Sequence, residues 1–271
     1  MIRTGVVGFG GRMGSLIARS ILERPDFILA GALEDNTYPS IGRDAGEVLG
    51  YPKSGTFVSK DLNEAFETCE CIIDFTFPEV TLAVCSYAAE KGKAMVIGST
   101  GFKEEQRKAI EVLSKKIPVV MSPNMSIGVN VLLKIVSQMA GLLDEGYDAE
   151  IVEAHHRLKK DAPSGTALAL ALAVSRGRGV DMEKHACYER HGIIGVRPVG
   201  EIGIQTVRAG DIVGEHTVMF AGPGERIEIA HKAHSRENFA RGAIKAAGWV
   251  MGKQPGLYSM MDVLGIGHED R

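Results

Sequence analysis

The fold is decided by residues 4–14, which read TGVVGFGGRMG. The Val-rich beginning of this stretch is typical of a buried β-strand, and glycines follow it at Gly8, Gly10, Gly11 and Gly14. Glycines at this spacing allow a tight turn, close approach of the backbone to a pyrophosphate, and close packing of the next helix on the strand. The N-terminus of that helix offers N–H groups to phosphates, and Arg12 adds a positive charge. The stretch therefore favours a dinucleotide site over the alternative, a tight strand-to-helix turn without a ligand.

The rest of the first 125 residues alternates between strand and helix patterns. Val- and Ile-rich runs are typical of parallel strands that are covered on both faces, and they predict strands over 4–8, 28–33, 71–75, 94–98 and 118–121. Helix patterns lie between them over 12–23, 61–67, 79–91 and 103–115. Such alternation requires right-handed crossovers, so this half is predicted to be a doubly wound parallel sheet.

A different pattern begins after residue 125. A long helix is predicted over 126–143, with Ser126 as its N-cap, and strand patterns follow over 149–155, 200–208, 213–220 and 224–231. The last three strands are joined by Gly-containing connections at 209–211 and 222–224, which predict hairpins. A further helix is predicted over 236–251.

These patterns predict an α/β protein with two domains. The first is a Rossmann-type parallel-sheet domain for a dinucleotide, formed by residues 1–125. The second is an α+β domain over 126–235, with a mixed, mostly antiparallel sheet. The last five residues, GHEDR, are expected to fray.

The composition excludes several classes of protein. Of the 271 residues, 45% are hydrophobic and 24% are charged, as in an ordinary globular chain. Lys and Arg number 31 against 34 Asp and Glu, so no basic excess favours nucleic acid. The longest apolar run, 167–174, is far shorter than the roughly 20 residues that span a membrane. We expect a cytoplasmic protein with reduced cysteines and no metal site, because Cys69 and Cys71 lack the spacing of zinc ligands.

The ends of the other predicted strands extend the nucleotide site. Glu34 ends the second strand 20 residues after Gly14, where an acid accepts hydrogen bonds from the ribose hydroxyls of a dinucleotide. Small and polar residues end three later strands, at 75–77, 98–101 and 122–124. Ligands bind outside the carboxyl ends of parallel strands, so these loops are predicted to form the floor for a nicotinamide.

The most polar segment of the chain is EAHHRLKKDAPSGTA, residues 153–167. It carries two histidines, three cations and a helix start that Ser164 or Thr166 can cap. The N-terminus of a helix binds carboxylates, so the segment combines anion binding with proton donation. Adjacent histidines without a third ligand do not favour a metal, and the alternative interpretation is a solvated basic loop.

This segment resembles the signature of the 4-hydroxy-tetrahydrodipicolinate reductases, also called dihydrodipicolinate reductases, of the diaminopimelate route to lysine. The resemblance continues over nearly the whole chain through VVGFGGRMG, DFTFPE, VIGSTGF, NMSIGVN, VRAGDIVGEHTVMF and ERIEIAHKAHSRENFARGA. It implies that residues 236–271 complete the first domain, which binds NAD(P)H. It also implies that the second domain serves substrate binding and oligomerisation and binds a cyclic dicarboxylate. It also implies hinges near 124–126 and 235–236, and a homotetramer built through the sheet of the second domain.

The resemblance assigns roles to individual residues. His155 corresponds to the proton donor or acceptor and Lys159 to a proton donor. The positions that correspond to substrate-binding residues are His156, Gly165 and Thr166. The positions that correspond to cofactor-binding residues are Gly8, Phe9, Gly10, Gly11, Arg12, Met13, Glu34, Gly98, Ser99, Thr100, Ser122, Pro123, Asn124 and Met125.

Two positions depart from the family pattern and bear on the choice of cofactor. Asp35 and Phe77 stand where members that use NADPH well often carry Arg. We therefore expect NADH to be preferred and NADPH to be possible, with Arg43 as the nearest later cation for a 2′-phosphate. Two other functions remain as alternatives: a different Rossmann oxidoreductase, such as an amino-acid or semialdehyde dehydrogenase, and a non-catalytic dinucleotide sensor.

Overall fold

The computed structural model describes residues 1–266, so the tail that is expected to fray, 267–271, lies outside the described residues. The chain divides into two compact units. One unit contains Met1–Ile127 and the described residues from Arg236 onward, and the other contains Gly128–Ser235. The assignment of one unit to the cofactor and the other to the substrate stays a prediction.

The first unit is built on a seven-stranded sheet in which every pairing is parallel. Its strands are β1 (Ile2–Val7), β2 (Phe27–Leu33), β3 (Val58–Ser59), β4 (Cys71–Asp74), β5 (Ala94–Ile97), β6 (Pro118–Met121) and β12 (Gly256–Tyr258). Their order in the sheet is β12-β6-β5-β4-β1-β2-β3. The chain therefore reverses its direction of travel across the sheet between β1 and β4. In an open parallel sheet, that reversal leaves a crevice at the carboxyl ends of the two strands.

Helices cover both faces of this sheet, as the runs of buried residues in its central strands β1, β4 and β5 require. They are α1 (Arg12–Leu22), α2 (Ala45–Val48), α3 (Leu62–Phe66), α4 (Pro78–Lys91), α5 (Glu104–Ser114), α9 (Glu237–Val250) and α10 (Met260–Leu264). One core lies under α1 and α9, with Phe9, Ile17 and Ile244 among its members. The core on the other face includes Phe66, Met95 and Ile110. The predicted Rossmann-type sheet is confirmed.

The second unit contains a five-stranded mixed sheet with helices packed on one face. Its strands are β7 (Asp148–His155), β8 (Ala186–Cys187), β9 (Ile202–Arg208), β10 (Gly214–Gly222) and β11 (Glu225–Ala233). Its helices are α7 (Gly165–Arg178) and α8 (Met182–His185), together with α6 (Ile127–Leu142), whose first residue still belongs to the first unit. The buried residues of β7, β9 and β10 form one core with α6 and α7.

One predicted connection in this sheet is wrong. The strands are ordered β11-β10-β7-β9-β8, so β9 and β10 lie on opposite sides of β7 and do not form a hairpin through 209–211. Instead the connection crosses the end of β7, where the Ala209 N–H donates to the carbonyl of His155 at 2.9 Å. A short Gly-containing connection has the same sequence pattern in a hairpin and in this crossing. The predicted hairpin at 222–224 is confirmed, since β10 and β11 pair antiparallel.

In residues 1–266, no helix combines the length and the apolar character needed to cross a bilayer. All four cysteines are free thiols, and Cys69, Cys71 and Cys85 are buried. Burial raises the pKa of Cys69 and of Cys85 to about 12, so these thiols stay protonated.

Candidate active site

The turn that follows β1 has the close packing that its glycines predict. Gly8 adopts a left-handed conformation with φ of 67°, and its carbonyl accepts the N–H of Gly11 at 2.9 Å. Helix α1 begins at the next residue, Arg12. A Cβ atom at Gly14 would lie only 1.9 Å from the carbonyl oxygen of Gly8, so a side chain at position 14 cannot fit. The turn is therefore a glycine cradle, formed by residues 8–14, at the N-terminus of a helix.

A groove of about 1200 Å³ opens beside the glycine cradle. Of the residues predicted to bind the cofactor, those that line it are Gly8, Gly10, Gly11, Arg12, Met13 and Glu34. The segment after β4 also lines the groove, through Phe75, Thr76 and Phe77. The groove thus lies where the chain reverses between β1 and β4, which is the position at which this class of sheet binds nucleotides.

Glu34 holds its carboxylate over the glycine cradle. Its Oε2 accepts the N–H of Gly10 at 2.6 Å, and its Oε1 accepts the N–H of Asp35 at 2.9 Å. Asp35 is exposed, and hydrogen bonds from the backbone and hydroxyl of Thr37 lower the pKa of its carboxyl. Asp35 is therefore charged at neutral pH, and Glu34 is placed to accept hydrogen bonds from ribose hydroxyls.

One cation of the groove, Lys60, could not be found from the sequence. Strand β3 pairs with β2 through Leu33 and Ser59, so Lys60 follows β3 beside the point where Glu34 follows β2. Lys60 is exposed, lines the groove, and makes no hydrogen bond or ion pair with the described residues. Arg43, which the sequence suggested, does not line the groove. A strand of only two residues leaves no periodic signal, so its end could not be located from the sequence.

The other predicted cofactor residues follow β5 and β6 on the same edge of the sheet. They are Gly98, Ser99 and Thr100 after β5, and Ser122, Pro123, Asn124 and Met125 after β6. The Ser99 hydroxyl accepts a hydrogen bond from Thr81 at 3.0 Å and lies 3.4 Å from Asp74 Oδ1. The side chains of Phe9 and Met125 are buried in the core, so only the backbone of these two residues is available to a ligand.

The candidate catalytic segment begins on β7. Residues at odd positions on this strand face the helices, and the buried row Ala149 and Ile151 continues into Glu153 and His155. Glu153 is fully buried, which is costly for a carboxylate unless it is paired. It is paired: Arg208 on β9 donates to both of its oxygens, at 2.9 and 2.8 Å. Because β7 and β9 are parallel neighbours in which His155 pairs with Arg208, the strand register places this arginine.

Two further groups complete the surroundings of Glu153. Its Oε1 accepts the N–H of Ser164 at 2.9 Å, and its Oε2 lies 2.5 Å from His155 Nδ1. Burial alone would raise the pKa of Glu153, but the hydrogen bonds from Arg208, His155 and Ser164 outweigh burial and lower it. Glu153 is therefore an anion in direct contact with the imidazole of His155.

His155 is enclosed by groups from several elements. Its ring packs edge-to-face on the ring of His216 from β10, with 5.1 Å between centroids. Gly214 leaves room for the ring, because a Cβ atom at that position would lie only 3.0 Å from Nε2 of His155. Burial lowers the pKa of His155, opposed by the hydrogen bond to Glu153. Burial also lowers the pKa of His216 to about 4, so His216 is neutral at physiological pH.

The remaining predicted residues lie on the loop and helix that follow β7. The ammonium of Lys159 forms an ion pair with Asp161 at 2.9 Å and is mostly covered. The buried Nδ1 of His156 has no hydrogen-bond partner among the described residues. Gly165 and Thr166 open α7, and Ser164 is its N-cap, since its hydroxyl accepts the N–H of Ala167 at 3.2 Å. A Cβ atom at Gly165 would meet nothing within 4 Å, so the helix start faces open space.

His155, His156, Lys159 and the start of α7 thus lie on one short stretch of chain in the second unit. The ion pair between Glu153 and Arg208 holds the end of β7 from which this stretch continues. Among residues 1–266, no group of three or more His, Cys, Asp or Glu is arranged to hold a metal ion. A Rossmann-type unit with a glycine cradle, joined to a second unit that carries two adjacent histidines and a mostly covered lysine, is typical of a dinucleotide-dependent oxidoreductase.

Family models narrow this class to one family. The model for the N-terminus of dihydrodipicolinate reductase matches residues 2–125, and the model for its C-terminus matches residues 128–264. This chain belongs to the dihydrodipicolinate reductase family. The family predicted from the sequence is confirmed, and with it an NAD(P)H-dependent enzyme.

Relatives and solved structures agree with this assignment. The chain is 52% identical over 266 residues to the 4-hydroxy-tetrahydrodipicolinate reductase of Syntrophobacter fumaroxidans, covering 98% of this chain and 100% of the relative. It is 49% identical to the enzyme of Citrifermentans bemidjiense, with the same coverage of 98% and 100%. A dipicolinate-bound dihydrodipicolinate reductase from Paenisporosarcina sp. TG-14 superposes with a TM-score of 0.77 at 25% identity, over 97% of this chain and 98% of that one.

An amine dehydrogenase from Mycobacterium smegmatis has a TM-score of 0.63 at 14% identity, over 96% of this chain and 95% of that one. At that identity the likeness shows a shared fold alone. This amine dehydrogenase therefore shares the fold of the chain, while the family assignment rests on the family models and the relatives at about 50% identity.

Proposed function

We propose that this chain reduces 4-hydroxy-tetrahydrodipicolinate to tetrahydrodipicolinate through the site formed by His155, His156, Lys159, Gly165 and Thr166. The observation that carries this proposal is the contact of a buried anionic Glu153 with His155, on the segment that also holds Lys159 and the start of α7. The similar Paenisporosarcina reductase binds dipicolinate, a cyclic dicarboxylate, which supports the same substrate class for this chain. The reaction belongs to the diaminopimelate route to lysine.

The first unit would hold NAD(P)H. The glycine cradle has no room for a side chain at position 14, and the N-terminus of α1 faces the groove, so the pyrophosphate would lie against backbone N–H groups and Arg12. Glu34 would accept the ribose hydroxyls, and the loops after β5 and β6 would support the nicotinamide. When bound, the reduced cofactor supplies the hydride that reaches C4 of the substrate ring after water has left.

The second unit would supply the proton. Negative charge develops at the far end of the conjugated ring system, and a cation placed there stabilises the transition state more than the ground state. His155 and Lys159 are the groups that would donate this proton. The two substrate carboxylates would be bound by His156 and by the start of α7 at Gly165 and Thr166, where the helix dipole favours an anion.

Replacing Thr166 by valine is expected to weaken binding of pyridine-2,6-dicarboxylate about tenfold or more, with little change in cofactor affinity. A lost hydrogen bond to a charged group costs roughly 1.5–3 kcal/mol, and about 1.4 kcal/mol is a tenfold change. Calorimetry measures both affinities. The control is Thr217→Val, which changes a hydroxyl on the face of β10 that does not pack on the helices. An unchanged affinity of Thr166→Val for the dicarboxylate would show that Thr166 does not bind the substrate.

For the cofactor, we propose that NADH is preferred and that Lys60 keeps NADPH usable. A 2′-phosphate beside Glu34 would also meet the charge of Asp35, and like charges repel. Lys60 and Arg12 are the cations that line the same groove and offset this repulsion. Both are exposed, so their contribution is modest and is screened by salt.

The ratio of kcat/KM for NADH over NADPH is expected to exceed one, and Lys60→Ala is expected to raise it further. The loss of kcat/KM with NADPH should be up to about fivefold, because a pair of exposed charges is worth ~0.2–1 kcal/mol. The matched control is Lys53→Ala, since Lys53 is exposed and does not line the groove. Asp35→Arg should shift the ratio toward NADPH, because guanidinium binds phosphate with two hydrogen bonds. A wild-type preference for NADPH at both low and moderate salt would contradict the proposal.

We also propose a homotetramer assembled through the second unit, and a cytoplasmic location as for a biosynthetic reductase. Apolar side chains on the segment before β9 support the assembly, with Ile193, Val196 and Val199 being 105%, 95% and 74% exposed. On the sheet face away from the helices, Val152 and Val207 are also exposed. Exposed apolar surface of this extent is typical of a protein–protein interface.

A further inference from the structure

We propose that Glu153 is a positioning residue that fixes the orientation and the tautomer of His155, and that it keeps the imidazole able to carry a transferable proton on Nε2. This inference rests on the proposed role of His155 as a proton donor, and it adds a residue to which the family signature assigned no role.

The carboxylate of Glu153 is held in place from several directions. It is fully buried, Arg208 binds both of its oxygens, and Ser164 donates a backbone N–H to it. Thr206 on β9 lies 3.3 Å from the same oxygen that Ser164 contacts. A carboxylate held by this many donors cannot rotate away from its neighbours, so any group that it contacts is fixed as well.

Glu153 contacts His155 through Nδ1 of the imidazole, at 2.5 Å. An ionised carboxylate only accepts hydrogen bonds, so the proton of this contact lies on the imidazole side, at Nδ1. In neutral His155, Nε2 then carries the lone pair, and in the protonated form Nε2–H is the group that can be donated. A carboxylate that orients a histidine through the other ring nitrogen is a recurring arrangement in enzymes.

The charges around His155 make Glu153 the group that favours the protonated imidazole. Lys159 from the following loop and Arg208 from β9 are cations and oppose protonation, as does burial. His216 from β10 is neutral at physiological pH, and His231 lies behind it on β11. Of the groups that face His155 among the described residues, Glu153 alone brings a negative charge into contact with the ring.

Glu153→Gln tests this role, because it removes the charge and keeps the shape. A general acid must be protonated, so kcat/KM falls as pH rises through its pKa. Without the charge of Glu153 the pKa of His155 is lower, so kcat/KM begins to fall at a lower pH. We expect a loss of about tenfold or more near pH 8 and a smaller loss near pH 6, within the range that contributions of general acids allow. Glu153→Asp keeps the charge, so its kcat/KM should fall at the same pH as that of the wild type, even if kcat stays reduced.

The strand offers a matched control in Glu150→Gln. Glu150 also lies on β7 and is bound at both oxygens by an arginine, Arg190, at 2.9 and 2.7 Å, but it lies on the other face of the sheet. A purely structural effect of losing a Glu–Arg pair would appear in both variants. If Glu153→Gln loses activity equally at every pH, as Glu150→Gln would, the positioning role is wrong.

Nitrogen NMR of histidine-labelled wild-type enzyme keeps the inference testable if Glu153→Gln fails to fold. The signals of His155 are assigned by their absence in His155→Ala. A neutral ring protonated at Nδ1 is the expected result, and a ring protonated at Nε2 overturns the inference. The proposed function is tested separately: if His155→Ala retains kcat, the role of His155 itself fails. If His155→Ala loses kcat while Glu153→Gln keeps the wild-type pH profile, only the role of Glu153 fails.

Discussion

Replacing His155 by alanine or Lys159 by methionine is expected to lower kcat by about 10²–10⁴-fold, the range over which general acid catalysis contributes. His155 is held against Glu153 and Lys159 against Asp161, so both proposed proton donors are positioned before substrate binds. Neither residue belongs to the glycine cradle or lines the nucleotide groove, so the affinity for NADH should change little. Steady-state kinetics and cofactor titration of the purified variants measure the two effects separately.

Controls for these variants lie close by in the sequence. Lys160→Met removes an exposed cation from the same loop, and His191→Ala removes an exposed histidine from the same unit. Both controls should retain wild-type kcat. If His155→Ala and Lys159→Met also retain near-wild-type kcat with the fold intact, the assignment of the proton donors is wrong.

Gly14→Ala is expected to weaken NADH binding by about tenfold to a hundredfold. The new Cβ atom would lie 1.9 Å from the carbonyl oxygen of Gly8, so the turn and the start of α1 must move apart. Overpacking of this kind costs typically about 1–3 kcal/mol, and about 1.4 kcal/mol is a tenfold change. The backbone N–H groups that would bind the pyrophosphate move with the turn, so the cost appears in cofactor affinity. Fluorescence or calorimetric titration with NADH measures it.

Gly248→Ala provides the matched control on α9 of the same unit. A Cβ atom there would come no closer than 3.6 Å to the ring of Phe27, which is an ordinary contact. This variant should bind NADH as the wild type does, and circular dichroism verifies that both variants are folded. Wild-type NADH affinity in Gly14→Ala would mean that the glycine cradle does not bind the dinucleotide.

Most of the first unit could be predicted from the sequence because its strands are buried on both faces. Such strands appear as short Val- and Ile-rich runs, and the glycines after β1 mark where the chain turns toward the ligand. Strand β3 could not be predicted, since two residues carry no pattern. Lys60 was missed for that reason, because its place beside Glu34 depends on β3 pairing with β2.

The second unit was predicted less well, because no single segment of the sequence indicates the order of its strands. The prediction of a hairpin at 209–211 is wrong because β9 and β10, the two neighbours of β7, lie on opposite sides of that strand. The same topology explains why the partner of Glu153 was missed. Arg208 is 55 residues away in sequence, and only the parallel pairing of β7 with β9 brings the two side chains together.

Reduction of 4-hydroxy-tetrahydrodipicolinate by this chain can be followed through the absorbance of reduced nicotinamide, when that substrate is added to purified enzyme and NADH. We expect NADH to be consumed only when enzyme and substrate are both present, in an amount equal to the tetrahydrodipicolinate formed. Lys159→Met should consume it at least about a hundredfold more slowly. A folded wild-type chain that leaves both NADH and NADPH unconsumed in the presence of this substrate would show that the chain is not a working reductase of it.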